Sequence, residues 1–201
     1  MKIELLDYGA GNVVSVERAL LRLGAESHRA STPECISNAD VLLLPGVGHY
    51  SALIRALDEH GLRTPLQEAL ARGIPFLGIC LGLQALYETS EEAPELTGLH
   101  LLEGRVQSLP PKVKLPHMGW NQLQRQRESP LLDGIGTDAY FYFAHTFAVM
   151  DTDASTVATC MHGSSFVAVA EHKNIHAMQF HPEKSGEPGR RLLKNFLRLA
   201  A

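Results

Sequence analysis

Two apolar stretches of this chain do not alternate. Asp40-Val41-Leu42-Leu43-Leu44 and Pro75 to Ile79 are nearly continuous hydrophobic runs of strand length, and each leads through glycine into a helical pattern. A strand with water on one face alternates apolar and polar residues; one that is apolar at successive positions is covered on both faces, which calls for a parallel sheet with helices above and below. Neighbouring segments repeat the arrangement. Ile3 to Asp7 has a strand pattern, and Val13 to Leu23 sets Val13, Val16, Leu20 and Leu23 on one helical face, with Asn12 placed to cap it and Gly24 to close it. Ala25 to Arg29 is a weaker strand, and helical stretches at 51–60 and 65–72 stop at Gly61 and Gly73. This alternation is the pattern of a doubly wound α/β fold.

The texture changes after Tyr87. Ser90 to Pro94 is expected as loop, Val106 to Leu109 and Trp120 to Leu123 as short strands around a Pro110-Pro111 turn, and Pro116 to Asn121 as an aromatic-bearing loop. Tyr140 to Val149 is aromatic-rich, Thr156 to Met161 and Phe166 to Ala170 form a strand pair, and Ile175 to Phe180 is a further strand. Pro188 to Leu199 ends the chain as a helix with Leu192, Leu193, Phe196 and Leu197 facing inward. A length of 201 residues suits one domain, 1–201, with a full core.

Composition removes several function classes. A net charge of −4 without like-charge runs leaves no footprint for nucleic acid or an anionic membrane. Three scattered cysteines (Cys35, Cys80, Cys160) with no C-x-x-C argue against a disulfide framework and a cysteine zinc site, and place the chain in a reducing cytoplasm. The first strand pattern begins at once and no long apolar span follows, so no leader or membrane segment is expected.

Within that frame, Gly78-Ile79-Cys80-Leu81-Gly82 joins an apolar strand to a helix through a sharp turn, a nucleophile elbow with cysteine in the reactive position. The flanking glycines let the backbone turn tightly and keep side chains off the sulfur, while the helix N-terminus favours thiolate. A buried structural cysteine is the competing reading, so the rest of a site is required. One part is His181-Pro182-Glu183 at the end of the last strand. Residues i and i+2 of an extended segment share a side, so Glu183 can orient the His181 ring and stabilise its imidazolium. Another is Pro45-Gly46-Val47-Gly48, where two glycines free the Val47 peptide to present its N–H. Gly9-Ala10-Gly11-Asn12 lacks the third glycine of a dinucleotide fingerprint, with Val14 in its place, and reads as a tight turn. No H-E-x-x-H or other metal spacing accompanies Glu183, and His117 and His145, both near aromatic residues, read as packing or rim groups.

Together, Gly78 to Gly82 and His181 to Glu183 resemble the motifs of the class I, triad-type glutamine amidotransferases. Asp7 to Asn12 with Ser15-Val16, Pro116 to Asn121 and His181 to Ser185 resemble, within that family, the glutaminase subunits of imidazole glycerol phosphate synthases, over essentially the whole chain. The resemblance implies a flavodoxin-like three-layer fold, with a mostly parallel central sheet and an added antiparallel region. It implies Cys80 as nucleophile, His181 as base and acid, Glu183 as its orienting carboxylate, and the Val47 and Leu81 N–H groups as oxyanion donors. It puts Gln84, Glu92, Thr146 and Phe147 against bound glutamine, and Asn12, Trp120 and Lys184 toward a (β/α)8-barrel synthase subunit. That partner would use the ammonia to make imidazole glycerol phosphate and aminoimidazole carboxamide ribonucleotide, with no metal or cofactor in this chain. Leu83 stands where the family usually has Met, and Ala144 and Phe147 replace a usual Val and Tyr.

Overall fold

In the computed structural model, which describes residues 1–9 and 12–201, the unalternated runs form strands, Val41–Gly46 and Phe76–Cys80, that are buried at every position. The first half alternates as expected: β1 (Ile3–Leu6), α1 (Val13–Leu21), β2 (Ser27–Ala30), α2 (Pro33–Ser37), β3 (Val41–Gly46), α3 (Tyr50–Glu59), α4 (Arg63–Ala71), β4 (Phe76–Cys80) and the single-turn α5 (Leu81–Gln84). The second half supplies β5 (Thr89–Ser90), β6 (Arg105–Ser108), β7 (His117–Gln122), β8 (Gln124–Arg125), β9 (Tyr140–His145), β10 (Phe147–Val149), β11 (Thr156–His162), β12 (Ser164–His172) and β13 (Ile175–Met178), before α6 (Gly186–Leu199).

Eight strands form one sheet in the order β2-β1-β3-β4-β13-β12-β11-β8. The pairs from β2 to β13 are parallel, and β12, β11 and β8 extend the sheet antiparallel. Side chains of β3 alternate between two cores. Leu42 and Leu44 join Leu53, Leu57 and Leu66 of α3 and α4, whereas Val41 and Leu43 join Val16 and Leu20 of α1 with Leu192 and Phe196 of α6. The result is the three-layer fold that the apolar runs demand. Smaller sheets, β10-β6-β5 and β7-β9, complete the second half.

Strand register then positions the chemistry. Gly46 pairs with Cys80, and Ile79 with Met178, so the carboxyl ends of β3, β4 and β13 lie side by side although they are far apart in sequence.

Four local expectations need correction. Pro116 to Asn121 is not a loop: from His117 it forms β7, paired antiparallel with β9, because alternate residues His117, Gly119 and Asn121 turn inward while Met118 and Trp120 face out. The helix expected after the Gly78–Gly82 elbow is one turn, starting directly after Cys80. The short α2, opened by Pro33, carried too few apolar positions to be read as a helix. Asn12 begins α1 without a side-chain capping bond, and its Nδ2 donates to Glu183 instead. Of the Gly9 to Asn12 turn, Ala10 and Gly11 lie outside the described residues.

Candidate active site

Cys80 closes β4 with φ 54° and ψ −104°, a conformation seldom adopted by non-glycine residues. Strain of this kind, typically about 1–3 kcal/mol, persists only where the surroundings enforce it. Here they do. A Cβ on Gly82 would run into the carbonyl oxygen of Leu44, and one on Gly78 would stand 2.8 Å from the carbonyl oxygen of Gly82. The two glycines therefore let α5 lie flat on β3 and β4; the unusual backbone angle belongs to the cysteine itself.

Beside Cys80 opens a cavity of about 270 Å3 whose wall includes Val47, Leu81, Gln84, Glu92, Thr146, Phe147, His181 and Lys184. His181 Nδ1 lies 3.0 Å from Glu183 Oε1, both side chains buried. The carboxylate accepts, so Nδ1 carries the hydrogen and Nε2 is left for Cys80. Burial alone would lower the His181 pKa, but hydrogen bonds to Cys80 and Glu183, with their charges, outweigh it and raise it to about 10. The ring is thus held as an imidazolium at neutral pH. Its backbone is fixed too: the His181 N–H donates to the Tyr142 carbonyl at 2.9 Å, and Ser185 Oγ donates to the His181 carbonyl at 2.6 Å while accepting the Tyr142 N–H at 2.9 Å.

Asn12, just before α1, reaches the His181–Glu183 pair. Its Nδ2 donates to Glu183 Oε1 at 3.1 Å, so this side chain supports the carboxylate. Glu92 Oε2 accepts the Tyr50 N–H at 2.8 Å, anchoring a cavity carboxylate to the start of α3. Gln84 Nε2 donates to the Phe147 carbonyl at 2.8 Å and to Gln179 Oε1 at 3.0 Å, so its amide hydrogens are taken up by the framework. Trp120 is 55% exposed, edge-on to Tyr142, and Lys184 Nζ sits 5.9 Å above the same ring. Trp120 and Asn12 stand outside the cavity wall. Among the described residues no cluster of three His, Cys, Asp or Glu could hold a metal ion, and no helix is long and apolar enough to cross a membrane.

The family model for glutamine amidotransferase class-I matches residues 4–200. The chain belongs to the class I glutamine amidotransferase family. It is 45% identical over 197 residues to imidazole glycerol phosphate synthase subunit HisH of Methanothermobacter thermautotrophicus, covering 98% of each chain. To the subunit of the same name from Salinibacter ruber it is 41% identical, covering 97% of this chain and 93% of that one. A crystal structure described as a glutamine amidotransferase superposes with a TM-score of 0.80 at 21% identity, covering 100% of this chain and 99% of the other.

In this amidotransferase, sequence reasoning passed over Gln179. It is fully buried, and its Nε2 lies 3.5 Å from Cys80 Sγ, a donor aimed at the sulfur. His181 is extended but Pro182–Lys184 is a 3-10 turn, so that turn, and not the expected extended alternation, sets Glu183 beside His181; Gln179 follows β13 directly, an amide between the apolar Met178 and Phe180. Ser185 was legible only as the last letter of a motif, because its bonds reach across to β9.

Proposed function

We propose that Cys80, His181 and Glu183 hydrolyse the side-chain amide of L-glutamine to glutamate and ammonia, and that the ammonia passes to a (β/α)8-barrel synthase subunit in the cytoplasm. The chain is a glutaminase subunit of the imidazole glycerol phosphate synthase type, serving histidine biosynthesis, in keeping with relatives matched over nearly their full length. The observation that carries the mechanism is the strained Cys80 in the wall of a cavity that also holds an imidazolium oriented by a buried carboxylate.

A carboxamide is a poor electrophile, so hydrolysis needs an activated nucleophile, a proton for the leaving nitrogen and donors for the oxyanion. The Cys80 thiolate attacks the carboxamide carbon, and the N–H groups of Val47 and Leu81 receive the oxyanion. His181 protonates the departing amide nitrogen, which leaves as ammonia, and water, deprotonated by the now neutral His181, opens the γ-glutamyl thioester. Glu183 keeps the ring in the Nδ1–H tautomer throughout. Gln84, Glu92, Thr146 and Phe147 hold the glutamine, Glu92 offering a carboxylate to its ammonium group. Asn12, Trp120 and Lys184 mark the side that receives the synthase subunit. Trp120 and Lys184 flank Tyr142 there, while Asn12 supports this side from within through Glu183.

One missing oxyanion donor costs about 10²- to 10³-fold in rate, so rotation of the Val47 peptide between Gly46 and Gly48 is enough to idle the site. The test is glutamine hydrolysis by the chain alone and with the synthase subunit and its ligand. A rise of orders of magnitude on adding the partner is expected, and full activity of the isolated chain would sink the gating.

A further inference from the structure

Two histidines that the sequence marks as packing or rim groups form a hydrogen-bond chain with a single allowed direction. His145 Nδ1 lies 2.9 Å from the Phe147 carbonyl oxygen, which can only accept, so that nitrogen carries the hydrogen. In a neutral ring protonated at Nδ1, Nε2 is an acceptor. It lies 3.0 Å from His117 Nδ1, which must therefore donate. His117 Nε2 in turn accepts from Asn121 Nδ2 at 3.3 Å, and the other hydrogen of that amide reaches the Met161 carbonyl at 3.0 Å. Carbonyls at both ends leave no second pattern.

The surroundings hold the rings in that state. His117 is stacked between Phe143 and His162, with centroid separations of 4.8 and 4.1 Å. Burial, aided by His162, lowers the His117 pKa to about 4. Burial lowers His145 to about 3, with the charges of His117, His162 and His181 adding to it and the Phe147 carbonyl opposing. Both rings are neutral at any working pH.

What the chain grips matters more than the chain. The Leu109 N–H bonds the Thr146 carbonyl at 2.9 Å, and Phe147 sits opposite Ser108 in the next register position. Bonding pairs alternate along an antiparallel ladder, so the Phe147 carbonyl turns away from β6. It is held by side chains instead, Gln84 Nε2 at 2.8 Å and His145 Nδ1 at 2.9 Å. Gln84 continues through Gln179 to the sulfur of Cys80.

We propose that His145, oriented by His117, is a positioning residue. With Gln84 it fixes the carbonyl of the Phe147–Ala148 peptide and so the backbone of Phe147, which with Thr146 forms the substrate wall of the cavity. The substrate role rests on the glutaminase reading. Its consequence is selective: loosening the chain weakens glutamine binding before it slows bond breaking.

Two measurements test it. In long-range proton–nitrogen spectra of the full chain, His117 and His145 should both show the Nδ1–H tautomer, without titrating between about pH 6 and about pH 9. An Nε2–H signal from His145, or titration in that window, overturns the chain. In the complex with the synthase subunit and its ligand, His145→Phe keeps a ring and removes the donor. It should raise KM for glutamine about tenfold, with kcat within about threefold. His145→Asn, whose amide can stand where Nδ1 stood, should recover most of that loss. His117→Phe keeps the stacking but frees His145, and should raise KM about threefold and mix the His145 tautomers. If His145→Phe and His145→Asn behave alike, or KM is unchanged in an active complex, the positioning role falls alone. A wild-type complex that leaves glutamine intact would instead remove the glutaminase reading and the substrate role with it.

Discussion

The parallel half of the main sheet and the smaller sheets beside it contribute to one cavity by different physical means. From the adjacent carboxyl ends of β3, β4 and β13 come Val47, Cys80 and His181, placed by strand register and by close backbone packing at Gly78 and Gly82. From β9, β10 and the β7 ribbon come Thr146, Phe147 and the rings behind them, placed by side-chain hydrogen bonds. Register and steric fit admit little adjustment, whereas a hydrogen-bonded wall can be loosened one donor at a time. The proposed chemistry thus sits on the rigid half and the proposed substrate contacts on the tunable one.

The largest effect that would sharpen this contrast is loss of the nucleophile. Cys80→Ala should lower glutamine-dependent turnover by about 10⁴-fold or more, while ammonia-dependent synthesis by the complex persists; continued consumption of glutamine would refute the assignment. Next is Glu183→Gln, which replaces the carboxylate serving both His181 and Asn12 by a neutral amide. A fall in kcat of about 10³-fold is expected from the lost orientation and charge, and a fall under about tenfold would make Glu183 structural. On the steric side, Gly82→Ala drives a methyl group into the Leu44 carbonyl and should cost about 3 kcal/mol in denaturant unfolding. An unchanged midpoint would show that the packing of α5 on β3 is slack.

The smallest effect separates the halves by pH. His117 and His145 bind protons near pH 4 and pH 3 in the folded chain but near 6.5 when unfolded, so the unfolded state holds more protons between these values. Stability should fall by about 1–3 kcal/mol as pH drops from 6.5 toward 4, and His117→Phe should flatten that limb. His181 has the opposite sign. Raised to about 10, it adds stability that is fully present below pH 6.5 and lost as pH rises through 10. Thermal melts of the wild type and His117→Phe across pH check both limbs; acid limbs of equal slope would remove His117 from the account.

Legibility followed the same division. The doubly wound half could be read because burial on both faces suppresses alternation in β3 and β4, and because 3.6-residue periodicity marks α1, α3 and α6. His181 and Glu183 were readable as a pair because their relation is local. Asn12 was not: a cap-forming residue at a helix start is a local inference, and its engagement with Glu183 spans the chain. Pro116 to Asn121 read as loop because proline and glycine outweigh a weak alternation, and its pairing with β9 is what makes it a strand.

By itself the sequence determined the α/β class, the strand ends that carry Cys80 and His181, and the family, since these rest on periodicity and on motifs within a few residues of one another. Only the tertiary structure decided that Cys80 takes the strained angle, that Gln179 faces its sulfur, and that His117 and His145 hold a backbone carbonyl. Each depends on atoms from segments with no local relation, and a hydrogen bond between distant segments leaves no period in the chain to read.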